Sequence, residues 1–223
     1  MAAARKTGPR PGLSRDKILD AAIAFVDEHG LTALSTRKLG ATLGVEGMTL
    51  YYYVPSKAAL LDGMVERLLQ RSLGDLRPDP GMPWPEAMRQ TARALHAILR
   101  EHPAMVTVVA TRPASTPVAF ALLESGLEIL CGQGVPLGLA VHIINTVTSF
   151  VIGHTLAEVG QTPGHEGTEP IPADVAQDAD AYPNFAEVYP NVAEVLATGA
   201  GLDVDTRFEL VLDILVTGFA AIS

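Results

Sequence analysis

The sequence predicts an all-α protein, with a small helix-turn-helix region of three helices at the N-terminus and a larger helical body behind it. Apolar residues recur at the spacing of a helix in almost every segment, and no segment sustains the alternation of a strand. The 223 residues are 48% apolar, enough for a sizeable core, which excludes disorder of the whole chain. The single cysteine, Cys131, excludes a disulfide scaffold and suits a reducing cytosol.

Three short helices are predicted in the N-terminal region. Ser14 is the expected N-cap of the first helix, and Gly30 ends it. Ser35 is the expected N-cap of the second helix, and Gly44 stops it before a short turn. Two short helices joined by a turn that contains glycine are typical of a helix-turn-helix. The predicted helices are 15–29, 36–43 and 47–53.

The rest of the chain is also predicted to be helical, with breaks at prolines and glycines. A fourth helix is expected to start at Pro55-Ser56 and to run to about Leu76. Segment 137–159 is apolar almost all round, so we expect it to be buried on most sides. Residues 160–183 are rich in Pro, Gly, Asp and Glu and predict a long mobile loop. The other predicted helices are 84–102, 104–110, 117–133, a short one within 184–196, and 205–222.

The charge is divided unequally along the chain. The whole chain carries −9, which taken alone argues against a nucleic-acid partner. Residues 1–71, however, hold ten basic and seven acidic side chains, a net of +3, whereas residues 72–223 hold six basic and eighteen acidic ones, a net of −12. Such asymmetry indicates a nucleic-acid-binding end on an acidic body.

Targeting signals are not evident in the sequence. The first residues are basic and rich in Pro and Gly, with no apolar leader segment. The most apolar window, 137–159, is interrupted by polar residues and fits a buried helix better than a membrane span. We therefore expect a cytoplasmic protein with no membrane partner. We divide it into a flexible basic arm (1–13), a head (14–60) and a body (61–223).

Residues 31–61 carry a pattern with a recognisable spacing. It consists of Thr36-Arg37-x-Leu39, the turn Leu43-Gly44-Val45, the run Thr49-Leu50-Tyr51-Tyr52-Tyr53, and Lys57-x-x-Leu60-Leu61. This pattern resembles the DNA-binding segment of the tetracycline-repressor-like (TetR) family of bacterial transcriptional regulators. Weaker matches, among them Trp84, His102-Pro103 and Thr111-Arg112-Pro113, resemble the tetracycline-repressor branch. The resemblance implies a homodimeric regulator, most simply a repressor, that binds a palindromic double-stranded DNA operator and is released by a small-molecule effector.

The third helix is the expected recognition helix, whose first turns face base edges in the major groove. Its N-terminal residues are Glu46, Gly47, Met48 and Thr49. Gly47 would let the backbone approach DNA closely, Met48 offers an apolar contact, and Thr49 can bond a base or touch a thymine methyl group. Leu50 is expected in the core.

Three consecutive tyrosines follow, and their phenols suit contacts to phosphate. We favour a phosphate contact for Tyr51. For Tyr52 and Tyr53 two interpretations stay open, a phosphate contact or packing within the head.

Two basic residues complete the expected DNA-binding set. The resemblance implies that Arg37 reaches DNA, the alternative being a surface salt bridge with Asp20 or Asp27. Lys57 lies at the N-terminus of the fourth helix, where its charge adds to free amides and to the helix dipole. It is therefore predicted to hold a phosphate.

The resemblance also implies that the body contains an effector cavity and a dimer interface. The helices near 137–159 and 205–222 carry more apolar surface than one small domain hides, and we expect them to form the four-helix bundle of a homodimer. The positions that correspond to the family's cavity are Leu73, Thr91, Leu95, Thr111, Arg112, Pro113 and Gly126.

The sequence departs from the tetracycline-repressor branch within that cavity. Val108 and Val109 stand where a magnesium-ligating histidine is expected, and polar amides near Thr91 and Gly126 are missing. We therefore expect a hydrophobic or aromatic effector in place of a tetracycline–magnesium chelate. The candidate polar contacts to it are Asn145, Ser149 and His96, the alternative being polar residues that are satisfied within the core.

No cofactor and no metal site is predicted, because the six histidines show no tight ligand spacing. A helical enzyme is the alternative from another class. Its best catalytic pair would be Glu124 with His96 or His142, and no fuller constellation can be assembled. A second alternative is a constitutive DNA-binding regulator whose cavity has filled.

Overall fold

The computed structural model describes residues 12–74, 81–112, 116–159 and 204–223. The loop predicted at 160–183, the short helix within 184–196, most of the basic arm and Pro113 lie outside these residues. The described elements are α1 (Arg15–His29), a 3₁₀ helix (Leu31–Ala33), α2 (Thr36–Thr42), α3 (Gly47–Leu50), α4 (Lys57–Leu73), α5 (Trp84–Glu101), α6 (Pro103–Thr111), α7 (Pro117–Gly132), α8 (Leu137–Val159) and α9 (Val204–Ala220).

The all-α prediction is confirmed, since the described part of the chain contains helices and no strands. Segment α8 begins and ends where the sequence predicted. Two predicted ends were wrong by three residues: α3 stops at Leu50, because residues 51–53 form a turn, and α4 stops at Leu73. The other described boundaries lie within two residues of the predicted ones. The 3₁₀ helix after α1 was not predicted.

Serine caps begin three of the helices in the N-terminal region. The side-chain oxygen of Ser14 accepts a hydrogen bond from the backbone N–H of Lys17 at 3.2 Å, and Ser35 begins α2 in the same way. The Ser56 hydroxyl accepts from the N–H of Ala59 at 3.0 Å at the start of α4. Each cap satisfies one of the backbone donors that a helix start leaves without a partner, so these boundaries are encoded locally.

The chain forms two compact units, Met1–Gly160 with Val216–Ser223, and Gln161–Leu215. Within the first unit, α1 packs against α4 and α6, and α2 packs against α3. The core formed by α1 to α4 consists of fully buried apolar side chains from the head and from the first turns of the body. Its largest members are Ile18, Leu19, Ile23, Leu39, Leu50, Leu60, Met64 and Leu68.

Helices α5, α6 and α7 all pack against α8 in the first unit. The start of α5 is fixed by Gln133, whose amide oxygen accepts from the Trp84 N–H at 2.8 Å and whose amide nitrogen donates to the Met82 carbonyl at 2.9 Å. At the other end of α5, buried His102 lies 2.7 Å through Nδ1 from the Asp27 carboxylate on α1. Of the second unit the structure describes residues 204–215, which belong to α9.

The prediction that α8 is buried on most sides is wrong for the single chain. Its buried residues recur every three or four positions and so occupy one face: Ala140, Ile143, Val147, Val151 and Thr155. Its exposed residues include a second stripe with the same spacing, formed by His142, Thr146, Ser149, Gly153 and Leu156. Among the described helices, α8 alone is long and apolar enough to span a membrane by length and composition, a test that core helices of soluble proteins also pass.

Candidate DNA-binding surface and effector cavity

The helix-turn-helix depends on a close approach of α2 and α3. A Cβ atom on Gly47 would lie 2.9 Å from the Thr36 carbonyl oxygen, and one on Gly40 would lie 2.8 Å from the Val45 carbonyl oxygen. Gly44, in the turn between them, has a φ of 65°. The reason that the sequence suggested for Gly47, room for DNA, is therefore incomplete, because the residue is small where α3 meets the backbone of α2.

The first turn of α3 divides its residues between surface and core. Met48 is 70% exposed, Glu46 is also exposed and Thr49 is half-buried, whereas Leu50 is fully buried as predicted. Glu46 caps the helix through its backbone, and its side chain makes no capping hydrogen bond. Helix α3 thus presents an apolar, a hydroxyl and a carboxylate side chain to the outside, which are groups that can read base edges.

The three tyrosines take different positions at the end of α3. Tyr52 is 62% exposed and its ring lies edge-on to the half-buried Tyr53, with the centroids 5.3 Å apart. The Tyr51 hydroxyl lies 3.5 Å from the Thr36 hydroxyl, which holds the phenol beside the start of α2. Tyr51 and Tyr52 thus keep accessible phenols, while Tyr53 packs against its neighbour.

Arg37 and Lys57 are both exposed. The alternative role for Arg37, a salt bridge to Asp20 or Asp27, is not formed: Arg67 bonds Asp20, and His102 bonds Asp27. Lys57 is the first residue of α4, and its Nζ donates to the Leu34 carbonyl at 3.4 Å. That bond is long, and its acceptor is an uncharged carbonyl, so the ammonium group keeps its positive charge.

An apolar cavity of about 260 Å³ lies in the body, between α4, α5, α7 and α8. Its polar side chains are few, and they come from Thr91 on α5, Ser125 on α7, and Asn145 and Thr148 on α8. The remaining lining is aliphatic apart from Phe120. The lining residues are Leu69, Leu73, Ala87, Met88, Thr91, Ala92, Leu95, Ala119, Phe120, Leu122, Leu123, Ser125, Gly126, Ile129, Leu130, Ile144, Asn145, Val147, Thr148 and Val151.

Five positions expected from the sequence line this cavity: Leu73, Thr91, Leu95, Gly126 and Asn145. Four others, His96, Thr111, Arg112 and Ser149, do not, which corrects their predicted placement. Their side chains are turned to other partners or to the exposed surface.

Arg112 pairs with the Asp62 carboxylate on α4 and donates to the Ala58 carbonyl, so its charge ties the end of α6 to α4. The Thr111 hydroxyl donates to the Thr107 carbonyl one turn back on α6, at 2.7 Å. His96 lies 2.9 Å through Nε2 from the Glu158 carboxylate, and Ser149 belongs to the exposed stripe of α8.

Much of the cavity wall on α7 was missed, because Gly126 was the one position of that helix that the sequence placed in the cavity. Ala119, Leu123 and Leu130 recur with Gly126 at helical spacing along α7, and that periodicity was the available signal. Met88 on α5 and Ile144 on α8 could not be assigned to the cavity from the sequence, because a core position and a cavity position have the same periodic pattern.

A helix-turn-helix with an exposed recognition helix, joined to a helical body with an apolar cavity, defines the class of ligand-responsive transcriptional regulators. Two family profiles match the chain. Residues 18–64 match "Bacterial regulatory proteins, tetR family", and residues 77–222 match "Tetracyclin repressor-like, C-terminal domain". The chain therefore belongs to the TetR family, and it resembles the tetracycline-repressor branch.

Similar proteins include the HTH-type transcriptional repressor DrrR1 of Streptomyces coeruleorubidus, 33% identical over 69% of this chain and 57% of the repressor's own length. The class D tetracycline repressor of Escherichia coli is 31% identical over 67% of this chain and 68% of its own. Regulators of this family bind DNA operators and small-molecule effectors, and they function as dimers. They are not enzymes, which decides against the helical enzyme considered above.

Solved structures agree over nearly the whole chain. A possible TetR family regulator from Streptomyces coelicolor A3(2) has a TM-score of 0.75 at 28% identity, over 94% of this chain and 100% of its own. ActR from Streptomyces coelicolor in complex with actinorhodin has a TM-score of 0.71 at 27% identity, over 96% and 98%. ActR in complex with (S)-DNPA has a TM-score of 0.72 at 25% identity, with the same coverage.

Proposed function

We propose that this chain is a homodimeric repressor that binds a palindromic operator and is released by a hydrophobic or aromatic effector. One observation carries the proposal: α4 begins at Lys57, seven residues after α3 ends, and lines the cavity with Leu69 and Leu73 near its other end. Sixteen residue steps of α-helix span about 24 Å. A single rigid element therefore touches both the candidate DNA surface and the candidate effector site.

The proposed DNA contacts divide into two kinds. Met48, Thr49 and Glu46 would face base edges, and Arg37 with Lys57 would bind phosphates on either side. Of the tyrosines, Tyr51 and Tyr52 have accessible hydroxyls for phosphate contacts, whereas Tyr53 has a role in packing. Gly47 contributes by letting α3 sit against α2.

The proposed effector is apolar because of the cavity wall. Aliphatic side chains dominate the lining, Phe120 supplies an aromatic face, and the polar groups at Thr91, Thr148 and Asn145 suit a ligand with few hydrogen-bonding groups. The absence of a histidine at Val108 and Val109 removes the magnesium ligand that a tetracycline chelate would need. That ActR has been solved in complex with actinorhodin supports a small-molecule effector. An open cavity favours this effector-responsive reading over a constitutive regulator.

The proposed dimer interface lies on α8 and α9. The exposed stripe of α8 contains Thr146, Ser149 and Gly153, small residues that let two helices approach closely. On α9, Leu210 and Ile214 are 59% and 60% exposed. Exposed apolar and small residues on helices of this length are typical of an interface between subunits. Two-fold symmetry would place the recognition helices about one DNA turn apart, roughly 34–36 Å.

Effector release follows if the ligand binds better to the conformation whose two heads do not match the operator. The head, body and arm boundaries predicted from the sequence, and a cytoplasmic location, remain parts of the same proposal.

The experiment is fluorescence anisotropy with DNA from the region upstream of the chain's own gene, with a salt titration, before and after adding compounds from an aromatic library. Operator binding that falls with salt and is reversed by a compound supports the proposal. Asn145→Leu should weaken the response to that compound, whereas Thr111→Val, which removes a hydroxyl on α6 outside the cavity, should not. Operator binding that no compound changes, together with no ligand-induced thermal shift, would instead identify a constitutive regulator.

A further inference from the structure

Three metal-ligating side chains come together between α5 and α8, next to the effector cavity but outside its lining. They are His96 on α5 and the pair His154 and Glu158 on α8. The donor atoms of the three all lie within 4.8 Å of one another. His154 and Glu158 are four residues apart, the spacing that places two side chains on the same face of a helix. None of the three residues lines the cavity.

The carboxylate at this cluster is almost removed from solvent. The side chains of Glu158 and His96 are each 9% exposed, and Glu158 Oε2 lies 2.9 Å from His96 Nε2. The other carboxylate oxygen, Oε1, lies 2.8 Å from Nε of Arg100, one turn further along α5. A buried carboxylate whose second oxygen is held by a guanidinium is oriented in the way that outer partners orient metal ligands.

Aromatic packing fixes the second histidine. The His154 ring lies edge-on to the His96 ring, with centroids 5.7 Å apart, and tilted against Phe150 at 5.5 Å. Two imidazoles and one carboxylate are the ligand types that Zn²⁺ and similar divalent transition metals accept, as in His₂Glu sites that keep a further position open.

We propose that His96, His154 and Glu158 form a binding site for Zn²⁺ or a related divalent transition-metal ion. Donor atoms around a tetrahedral Zn²⁺ are about 3.3 Å apart, given bonds of about 2.0 to 2.1 Å. The cluster therefore closes by up to about 1.5 Å on binding, and the ion takes over the contact that Glu158 now makes with His96. Arg100 keeps its bond to the outer carboxylate oxygen.

The position of the site gives the metal a consequence for the neighbouring cavity. Leu95 and Val151 line the cavity. His96 directly follows Leu95 on α5, and His154 lies one turn beyond Val151 on α8. An ion that joins α5 to α8 at this point would hold two walls of the cavity at a fixed distance. This makes the site a structural metal centre beside the effector site, and its existence does not depend on the proposed function.

The test uses untagged, chelator-treated full-length protein with Zn²⁺ or Co²⁺ as the probe. Calorimetry should show binding of one Zn²⁺ per chain, and Co²⁺ should give the intense visible bands of a four- or five-coordinate site. His154→Ala and Glu158→Gln should each lower Zn²⁺ affinity by at least about tenfold, since each removes a ligand. His29→Ala, which removes an exposed histidine from α1, is the matched control and should leave affinity unchanged.

Folding of the variants is followed by circular dichroism and by thermal unfolding. Zn²⁺ should raise the Tm of the wild-type protein and of His29→Ala, and should not raise that of Glu158→Gln, because only a site in the native state couples binding to stability. Wild-type protein that gives no intense Co²⁺ bands would overturn the proposal. So would Zn²⁺ binding that is equally tight in His154→Ala and Glu158→Gln.

Discussion

Arg67 on α4 donates two hydrogen bonds to the Asp20 carboxylate on α1, from Nε to Oδ1 at 2.8 Å and from Nη2 to Oδ2 at 2.9 Å. This two-pronged contact joins the first helix of the head to the helix that reaches the cavity. The hydrogen bond from Arg67 lowers the pKa of Asp20 below its ordinary value, and Asp20 in turn raises the pKa of Arg67.

The first prediction concerns the pH dependence of stability at this pair. Because the pKa of Asp20 is lower in the folded chain, the pair stabilises the fold above the ordinary pKa of aspartate, and this stability is lost as the pH falls through the lowered value. Asp20→Asn should lower the free energy of unfolding at pH 7 by about 1 kcal/mol or less, since the side chain is partly exposed.

Urea denaturation at pH 7 and at a pH below the ordinary aspartate value measures this effect. The difference between wild type and Asp20→Asn should shrink at the acidic pH. Asp16→Asn is the control, because Asp16 lies 3.7 Å from Nη1 of Arg67 and is more exposed, so its effect should be smaller. A difference that grows on acidification would contradict the assignment.

The second prediction tests the close contact between α2 and α3. Gly47→Ala places a methyl group 2.9 Å from the Thr36 carbonyl oxygen. This oxygen belongs to the backbone of α2, which cannot move aside as a flexible side chain can. We expect a loss of about 1 to 3 kcal/mol in stability and a loss of operator binding. Gly132→Ala on α7, where an added Cβ meets nothing within 4 Å, should be neutral or slightly stabilising. Chemical denaturation measures both, and an equally stable Gly47→Ala would show that α3 is placed differently.

The third prediction separates phosphate binding from base reading. Lys57→Ala should weaken binding to all DNA sequences by a similar factor and should reduce the slope of log affinity against log salt by about 1 for each half-site. Met48→Ala should instead change the preference among operator variants, by about 1 to 3 kcal/mol at the contacted base pair. Lys17→Ala removes the same charge from α1 and serves as the control. If Lys57→Ala left the salt slope unchanged, Lys57 would not be a phosphate contact.

The fourth prediction concerns the proposed dimer face of α8. An added side chain on Gly153 meets nothing within 4 Å in the single chain, so Gly153→Arg should fold normally. In a dimer it would place a charge in the helix–helix contact, which should raise the dissociation constant at least about 100-fold, equivalent to roughly 3 kcal/mol. Light scattering after size-exclusion chromatography gives the mass. Gly132→Arg, at an equally open position on α7, is the control and should remain dimeric. A Gly153→Arg protein that stays dimeric would show that the interface does not include this face of α8.

Local signals account for the parts of the fold that could be predicted. The caps at Ser14, Ser35 and Ser56 and the stop at Gly30 act within a few residues of themselves, so the sequence defined the starts of α1, α2 and α4 closely. The end of α3 could not be predicted in this way, because residues 51–53 keep helical residue types while they form a turn.

Contacts between distant residues account for what could not be predicted. Arg112 matches a cavity position by resemblance, yet its guanidinium turns to Asp62, fifty residues earlier in the chain. His96 and Glu158 are sixty-two residues apart, so a search for closely spaced histidines could not bring them together. The spacing of His154 and Glu158 on one helix was the one local sign of that cluster.

The sequence by itself determined the all-α class, the helix-turn-helix and the division of charge between a basic end and an acidic body. These depend on periodicity, caps and composition, which each segment carries alone. Only the tertiary structure decided which polar side chains enter the cavity, why Gly47 must be small, and that two histidines and a glutamate meet between α5 and α8. Such outcomes depend on the rotation of each helix about its axis and on its neighbour, and packing sets both after the local structure has formed.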